Sequence, residues 1–324
     1  MKNHSSVGKE VIKLALPLII IAGPTAVGKS DVAAELAKRI NGEIISADSM
    51  QIYKLMDIGT NKPPKDMMAN VKHHFIDIKY PDEEYSVALY RQDAAKVIGE
   101  VYNKSKLPIM VGGTGLYINS VINNLDFSVG PDYKFRKHLD EIVDKKDLTF
   151  LYNVLLNIDP ITADKIDKND KKRIVRALEV YHTTGHPISV YKEKSGNVPN
   201  DKYNLFYFVL NMSRDKLYKR IEKRVDVMIQ NGLIKEVKML LSLGYDEHLN
   251  SMQAIGYKEI ISYLKGRTSL EESIQSIKKN TRHYAKRQLT WFKKDKRIEW
   301  INIDNLDKDE IVKNIIEKLA GICK

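Results

Sequence analysis

Gly23-Pro24-Thr25-Ala26-Val27-Gly28-Lys29-Ser30 follows an apolar run, Leu16 to Ile21, and fits the pattern G-x-x-x-x-G-K-[ST]. A loop of this composition is a phosphate cradle. Its terminal glycines let the backbone wrap an anion, so that loop N–H groups and the N-terminus of the next helix point at a di- or triphosphate. Lys29 is placed to neutralise the distal phosphate oxygens, and the Ser30 hydroxyl to ligate a bridging Mg²⁺. Val32, Ala33, Leu36, Ala37 and Ile40 then recur at helical spacing, which completes a strand-loop-helix unit.

Composition brackets what such a site could serve. The chain has 324 residues, an apolar share of 43% and two tryptophans, ordinary values for a globular protein of one large domain or two. Its formal net charge of +11 is not ordinary, and points to a polyanionic partner unless it serves solubility alone. The single cysteine, Cys323, excludes an intrachain disulfide and a cysteine-based zinc site, which suits a reducing cytoplasm. Lys2, Lys9 and Lys13 ahead of Leu14 to Ala22 imitate a secretory signal, but cleavage there would damage the cradle, so Leu16 to Ile21 reads as a buried first strand. Nothing approaches the ~18 apolar residues of a membrane span, so no membrane partner is expected.

Glu43 to Ser49 reads as a second strand that delivers Asp48 and Ser49 to its C-terminal end, where open parallel sheets keep their chemistry. A helix over Val87 to Tyr102 and a strand over Leu107 to Val111 follow, and that strand empties into a second glycine-rich turn, Gly112-Gly113-Thr114-Gly115. The alternation predicts an α/β fold: a P-loop NTPase-like parallel sheet flanked by helices. From about Leu125 the pattern turns helical and rich in Lys and Asp, with Leu151, Val154, Leu155 and Ile158 on one face. We expect a helical insertion domain over 125–196, between core segments 14–124 and 197–324. Within it Lys171-Lys172-Arg173 and Arg176 open an amphipathic helix whose basic end is either a nucleic-acid contact or a solvated face. An apolar strand, Leu205 to Leu210, leads into a helical C-terminal part. There Lys278 to Arg297 carries nine Lys or Arg against the single acid Asp295, with Tyr284, Trp291 and Phe292 interleaved. Phosphate contacts and base stacking need that mixture, although Tyr284, Leu289 and Phe292 could equally pack inward.

The motifs in series are narrower than any one of them. Gly23 to Ser30, Asp48-Ser49-Met50-Gln51-Ile52-Tyr53, Asp57 to Pro63, Gly112 to Tyr117, Arg173 to Glu179, Ala254-Ile255-Gly256-Tyr257 and Thr281-Arg282 through Trp291-Phe292 together resemble the tRNA dimethylallyltransferase family. The likeness runs from about Leu16 to Phe292; Asn61 departs from it, standing where the family often has alanine. It implies transfer of a dimethylallyl group from dimethylallyl diphosphate to N6 of the adenosine next to the anticodon, with diphosphate as leaving group. By that resemblance the cradle, Gly23, Pro24, Thr25, Ala26, Val27, Gly28, Lys29 and Ser30, binds the diphosphate, and Ser30 the Mg²⁺ cofactor. Asp48 would be the base, since an exocyclic amine must lose a proton as it forms the new bond. Thr114 would stand near the reacting base, and an arginine, Arg214 ahead of Arg220 and Arg224, would steady the diphosphate. The tRNA contacts implied are Asp48, Ser49, Met50, Gln51 and Thr114 around an extruded base, and Arg136, Lys172, Arg173, Ile174, Val175, Arg176, Gln253, Ala254, Ile255, Gly256 and Tyr257 on the anticodon stem-loop. A cytoplasmic monomer is the expected setting. Three other readings stay open at this point: a relative that prenylates free adenine nucleotides, a P-loop kinase, and a non-enzymatic NTP switch that binds RNA.

Overall fold

The structure is a computed structural model that describes residues 15–195 and 198–320. The basic segment with Lys2, Lys9 and Lys13, the 196/197 boundary expected for the insertion, and Cys323 lie outside the described residues.

Strand β1 (Leu16–Ala22) opens the chain, and its Leu18 to Ala22 are wholly buried, as a strand covered on both faces must be. Then come α1 (Lys29–Arg39), β2 (Gly42–Ala47), α2 (Lys65–Asn70), β3 (His73–His74), α3 (Val87–Asn103), β4 (Leu107–Gly112) and α4 (Gly115–Ile122). A run of helices follows: α5 (Tyr133–Lys146), α6 (Leu148–Ile158), α7 (Pro160–Lys165), α8 (Lys171–Thr184) and α9 (Ile188–Ser195). The chain returns through β5 (Tyr203–Asn211), α10 (Arg214–Gln230), α11 (Leu233–Ser242), α12 (Tyr257–Leu264), α13 (Leu270–Phe292), β6 (Glu299–Asn302) and α14 (Lys308–Lys318).

Contacts divide the chain into two compact units. The larger comprises residues up to Val121 together with those from Asp201 onward. Its six strands form one parallel sheet in the order β3-β2-β4-β1-β5-β6. The α/β, P-loop-like class read from the sequence is therefore the one observed. The core holds Val32 and Leu36 of α1, Ile311, Val312 and Ile315 of α14, and the strand residues Ile19, Ile21 and Phe208. On α3, the Tyr90 hydroxyl donates to the Ser46 carbonyl at 3.0 Å. Because β4 lies between β1 and β2, the turns after β2, β4 and β1 stand side by side along the C-terminal edge of the sheet. In open α/β sheets ligands bind at that edge, where the strand order reverses.

The smaller unit, Ile122–Asn200, contains helices α5 to α9. Leu139, Leu151, Leu155, Ala163, Ile174 and Leu178 form its own apolar core. Asp132, Asp147, Asp159 and Asp170 cap four of its helices by accepting N–H groups of the first turn. Among the described residues no helix is long and apolar enough to cross a membrane.

Candidate active site

The cradle forms where β1 ends. Gly28 caps α1 at φ +100°, a conformation that glycine adopts without cost, and Ala26 is also left-handed at φ 65°. Such a fold turns successive N–H groups to one side, and the first turn of α1 leaves further N–H groups without helical partners. Lys29 extends its ammonium back to the Pro24 carbonyl at 2.7 Å. Burial pushes the Lys29 pKa down to about 8; the carboxylate of Asp48 opposes that shift, and Arg224 adds to it. Cradle lysine, arginine and carboxylate thus lie within electrostatic reach of one another.

Arg224 donates to the Thr25 hydroxyl at 2.7 Å, and Arg220 to the Val27 carbonyl at 3.3 Å. Burial holds the Arg224 guanidinium below its ordinary pKa, with Asp48 acting the other way. Four residues apart on α10, the two arginines share a face and grip the loop together. Arg214, the first candidate from the sequence, is exposed, and its guanidinium lies over the Tyr218 ring, 5.1 Å from the centroid. It stands ten residues before Arg224, which is about 15 Å along the helix and roughly 80° around it.

Asp48 follows β2 directly. One of its carboxylate oxygens accepts the Met50 N–H at 2.9 Å, an Asx turn that fixes the side chain. The Ser49 N–H donates to the Thr114 hydroxyl at 3.1 Å, and the Thr114 N–H to the Ala47 carbonyl at 3.1 Å. The turn after β2 is thereby stitched to the turn after β4. Gln51 faces the other way: its amide N–H₂ reaches the carbonyls of Thr60 and Asn61 at 3.4 and 3.3 Å, and its oxygen accepts from Ser46 at 3.2 Å.

Behind these turns sit Gln288 and Glu236, to which sequence reading assigned no part in the site, and Tyr284, read there only as a stacking or packing residue. Gln288 of α13 accepts the Thr25 N–H and donates to the Gly113 carbonyl, both at 2.9 Å. Tyr284, one turn earlier, hydrogen-bonds Thr114 and Gln288, and burial beside the charge of Asp48 pushes its phenol up to about 12. A signal for Gln288 did exist: it falls in register with the buried Ala285 and Phe292, and an uncharged polar side chain on such a stripe needs partners. Glu236 accepts the N–H groups of Asp57, Ile58 and Gly59 and the hydroxyl of Tyr257, all within 3.1 Å. Lys62, almost wholly buried, ties the Tyr53 carbonyl to Asp57 and Asp77.

The remaining nucleic-acid candidates divide by exposure. In the smaller unit Lys172 and Arg173 are exposed on α8, and Arg173 pairs with Asp170 at 3.1 Å. Arg136 donates through two nitrogens to Glu179, at 2.6 and 2.9 Å, and Arg176 shares that carboxylate. Burial alone would raise the Glu179 pKa, yet hydrogen bonds from Arg136, Arg176 and the Asp132 N–H hold it below its ordinary value. Ile174 and Val175 turn their side chains into the core of that unit, because a helix cannot present the side chains of consecutive residues 172 to 176 to one side. In the larger unit Gln253 is exposed, Ala254 and Ile255 are half-buried, and Gly256 caps α12 at φ +101°. Tyr257 is wholly buried with its hydroxyl on Glu236.

Comparison with known proteins places the chain in a family. Residues 51–295 match the family described as IPP transferase. A tRNA dimethylallyltransferase of Acetivibrio thermocellus is 52% identical over 305 residues, covering 94% of this chain and 97% of the relative. One of Caldanaerobacter subterraneus is 49% identical over 314 residues, covering 96% and 100%. The crystal structure of the tRNA isopentenylpyrophosphate transferase of Bacillus halodurans superposes with a TM-score of 0.71 at 43% identity, covering 95% of this chain and 96% of that one. A eukaryotic dimethylallyltransferase caught acting on tRNA gives a TM-score of 0.77 at 31% identity, covering 95% and 78%. A match across three quarters of the chain, with near-complete coverage by relatives half identical to it, leaves one conclusion: the chain belongs to the IPP transferase family.

Proposed function

We propose that this protein prenylates tRNA: it transfers a dimethylallyl group from dimethylallyl diphosphate to N6 of the adenosine next to the anticodon. The observation that carries the reading is one continuous edge on which Lys29, Arg220 and Arg224 surround the cradle while Asp48 stands on the turn after β2, beyond that of β4. Cations on one side suit a departing diphosphate, and a fixed carboxylate on the other suits an amine that must shed a proton.

In the step we infer, the N6 lone pair bonds to C1 of the dimethylallyl group. The C1–O bond breaks, and its electron pair leaves on the diphosphate. The N6 proton passes to a carboxylate oxygen of Asp48, which the Met50 N–H holds in place. Lys29 and Arg224 stabilise the growing diphosphate charge. A tRNA base has to leave its stack to reach such a site, at a cost of about a few kcal/mol, and Ser49, Met50 and Thr114 flank the place for it. Among the described residues no three His, Cys, Asp or Glu side chains converge as a metal-binding group. Ser30, in the first turn of α1 behind the cradle, is the residue that would hold Mg²⁺ beside the diphosphate, an all-oxygen setting that suits this ion. When bound, Mg²⁺ would neutralise charge on the leaving group. Lys172, Arg173, Arg136 and Arg176 supply phosphate contacts for the anticodon arm, and Gln253 with its neighbours supplies others. We place the enzyme in the cytoplasm as a monomer.

The test is incubation with unmodified tRNA, Mg²⁺ and dimethylallyl diphosphate, then digestion and mass spectrometry of the nucleosides. An adenosine heavier by one dimethylallyl group, mapped beside the anticodon, is the expected product. Prenylated AMP in its place would move the reading to a nucleotide-modifying enzyme, and tight ATP binding without any product to a kinase or switch.

A further inference from the structure

Gln288 joins two turns that belong to different halves of the reaction. Thr25, whose N–H it accepts, is in the anion cradle; Gly113, to whose carbonyl it donates, precedes Thr114 in the turn that borders Asp48. Both bonds are 2.9 Å long and made by opposite ends of one planar amide, 263 and 175 residues from its partners in sequence. The partners leave only one orientation of that amide, since an N–H needs the oxygen and a carbonyl needs the nitrogen.

The contact is a close one. A Cβ on Gly113 would come within 2.1 Å of the Gln288 amide nitrogen, so only glycine lets the turn approach it. Its neighbours on α13 extend the grip. Tyr284 bonds both Thr114 and Gln288, and Trp291 lies against Gly115, where a Cβ would meet its ring at 2.3 Å. Three successive residues of the second turn thus rest on one face of one helix, and through Gln288 the cradle rests there too.

We propose that Gln288 is a positioning residue that sets the separation between the diphosphate and the incoming amine. It touches neither reactant. The inference rests on the reading above, in which the cradle holds the diphosphate and the turn by Asp48 and Thr114 receives the base. In that arrangement the reactive carbon hangs from one turn and the nucleophile is held by the other. Bond formation needs the two atoms about 3–3.5 Å apart, and a misplacement of about 1 Å costs on the order of 100-fold in rate. A single side chain that ties both turns controls that distance directly.

The experiment compares wild type with Gln288→Met, which keeps the packed volume and loses both bonds, and Gln288→Asn, whose amide is one methylene too short to span both turns. Single-turnover prenylation of tRNA, the KM for tRNA, and the affinity for inorganic diphosphate by calorimetry are measured on the same preparations. We expect the single-turnover rate to fall about 100-fold, with tRNA KM and diphosphate affinity within about threefold of wild type. A rate within threefold of wild type in either folded variant overturns the proposal. So does a loss of diphosphate affinity as large as the loss of rate, which would confine Gln288 to the cradle. If Q288M fails to fold, Q288N is decisive on the same criteria. Failure of the underlying reading shows separately, because wild type would then form no prenylated tRNA.

Discussion

Replacing Glu236 by alanine should cost about 4 kcal/mol of stability and weaken tRNA use more than donor use. Glu236 is 8% exposed and its carboxylate accepts four hydrogen bonds: from the N–H groups of Asp57, Ile58 and Gly59 at 2.9, 2.8 and 3.1 Å, and from the Tyr257 hydroxyl at 2.7 Å. A donor left without a partner costs about 1–3 kcal/mol when buried and towards the low end when part-buried, as the three N–H groups are, so four give at least about 4 if none is recovered. Water entering the space vacated by the side chain can recover one or two of them, and the two or three left, at about 1–2 kcal/mol each, amount to roughly 2–6 kcal/mol. For a unit of this size that is a fall in Tm of about 4–24 °C. Glu236→Gln should be little better, because its amide N–H₂ would confront N–H donors. The functional consequence follows from the same bonds. The loop that Glu236 holds provides the Thr60 and Asn61 carbonyls on which Gln51 is braced, three residues from Asp48. Urea unfolding, with the slope checked for constancy, gives the stability change, and steady-state prenylation gives the KM for each substrate. An E236A protein within about 1 kcal/mol of wild type, with an unchanged tRNA KM, would refute the bookkeeping of these four bonds.

Three further outcomes are expected. Asp48→Asn should lower the single-turnover rate by about two to four powers of ten while tRNA and diphosphate still bind, and a near-normal rate would remove Asp48 from the role of base. Arg224→Ala should weaken inorganic diphosphate about 10- to 100-fold, the scale of one charged hydrogen bond, whereas Arg214→Ala should stay within about twofold; the reverse order in calorimetry would restore Arg214. Lys29, with its pKa lowered to about 8 in the free protein, should take up a proton when diphosphate binds above that pH. The sign is fixed by the direction of the shift. Burial disfavours the ammonium and the anion favours it, so affinity should fall as pH rises past about 8, and proton uptake measured in two buffers should vanish in Lys29→Met. The same depressed pKa means that the free fold gains stability from this group as pH rises from about 8 towards the ordinary 10.5, where the unfolded chain binds the extra proton.

How much of this was legible in the sequence depends on whether a feature is local. The cradle, the central strands and the place of Asp48 were readable because each is announced by its own neighbours: glycines where the backbone must turn, an apolar run where a strand must be covered on both faces, a carboxylate at a strand's end. Edge strands were not. β3 is two histidines that pair only because β2 offers them an unpaired backbone, and β6 carries no apolar run and forms beside β5 after the chain has returned across the sheet. Exposure within a motif was equally hidden. Ile174, Val175 and Tyr257 stand inside stretches that resemble tRNA contacts, and packing turns all three inward. Sequence alone determined the chemistry available at the edge of the sheet: an anion cradle, a carboxylate, and arginines on a nearby helix. Tertiary structure decided which arginine reaches the loop and which amide ties the two turns together. Those choices depend on how α10 and α13 dock, and docking is a sum of many small contacts between residues far apart in the chain, which no local pattern records.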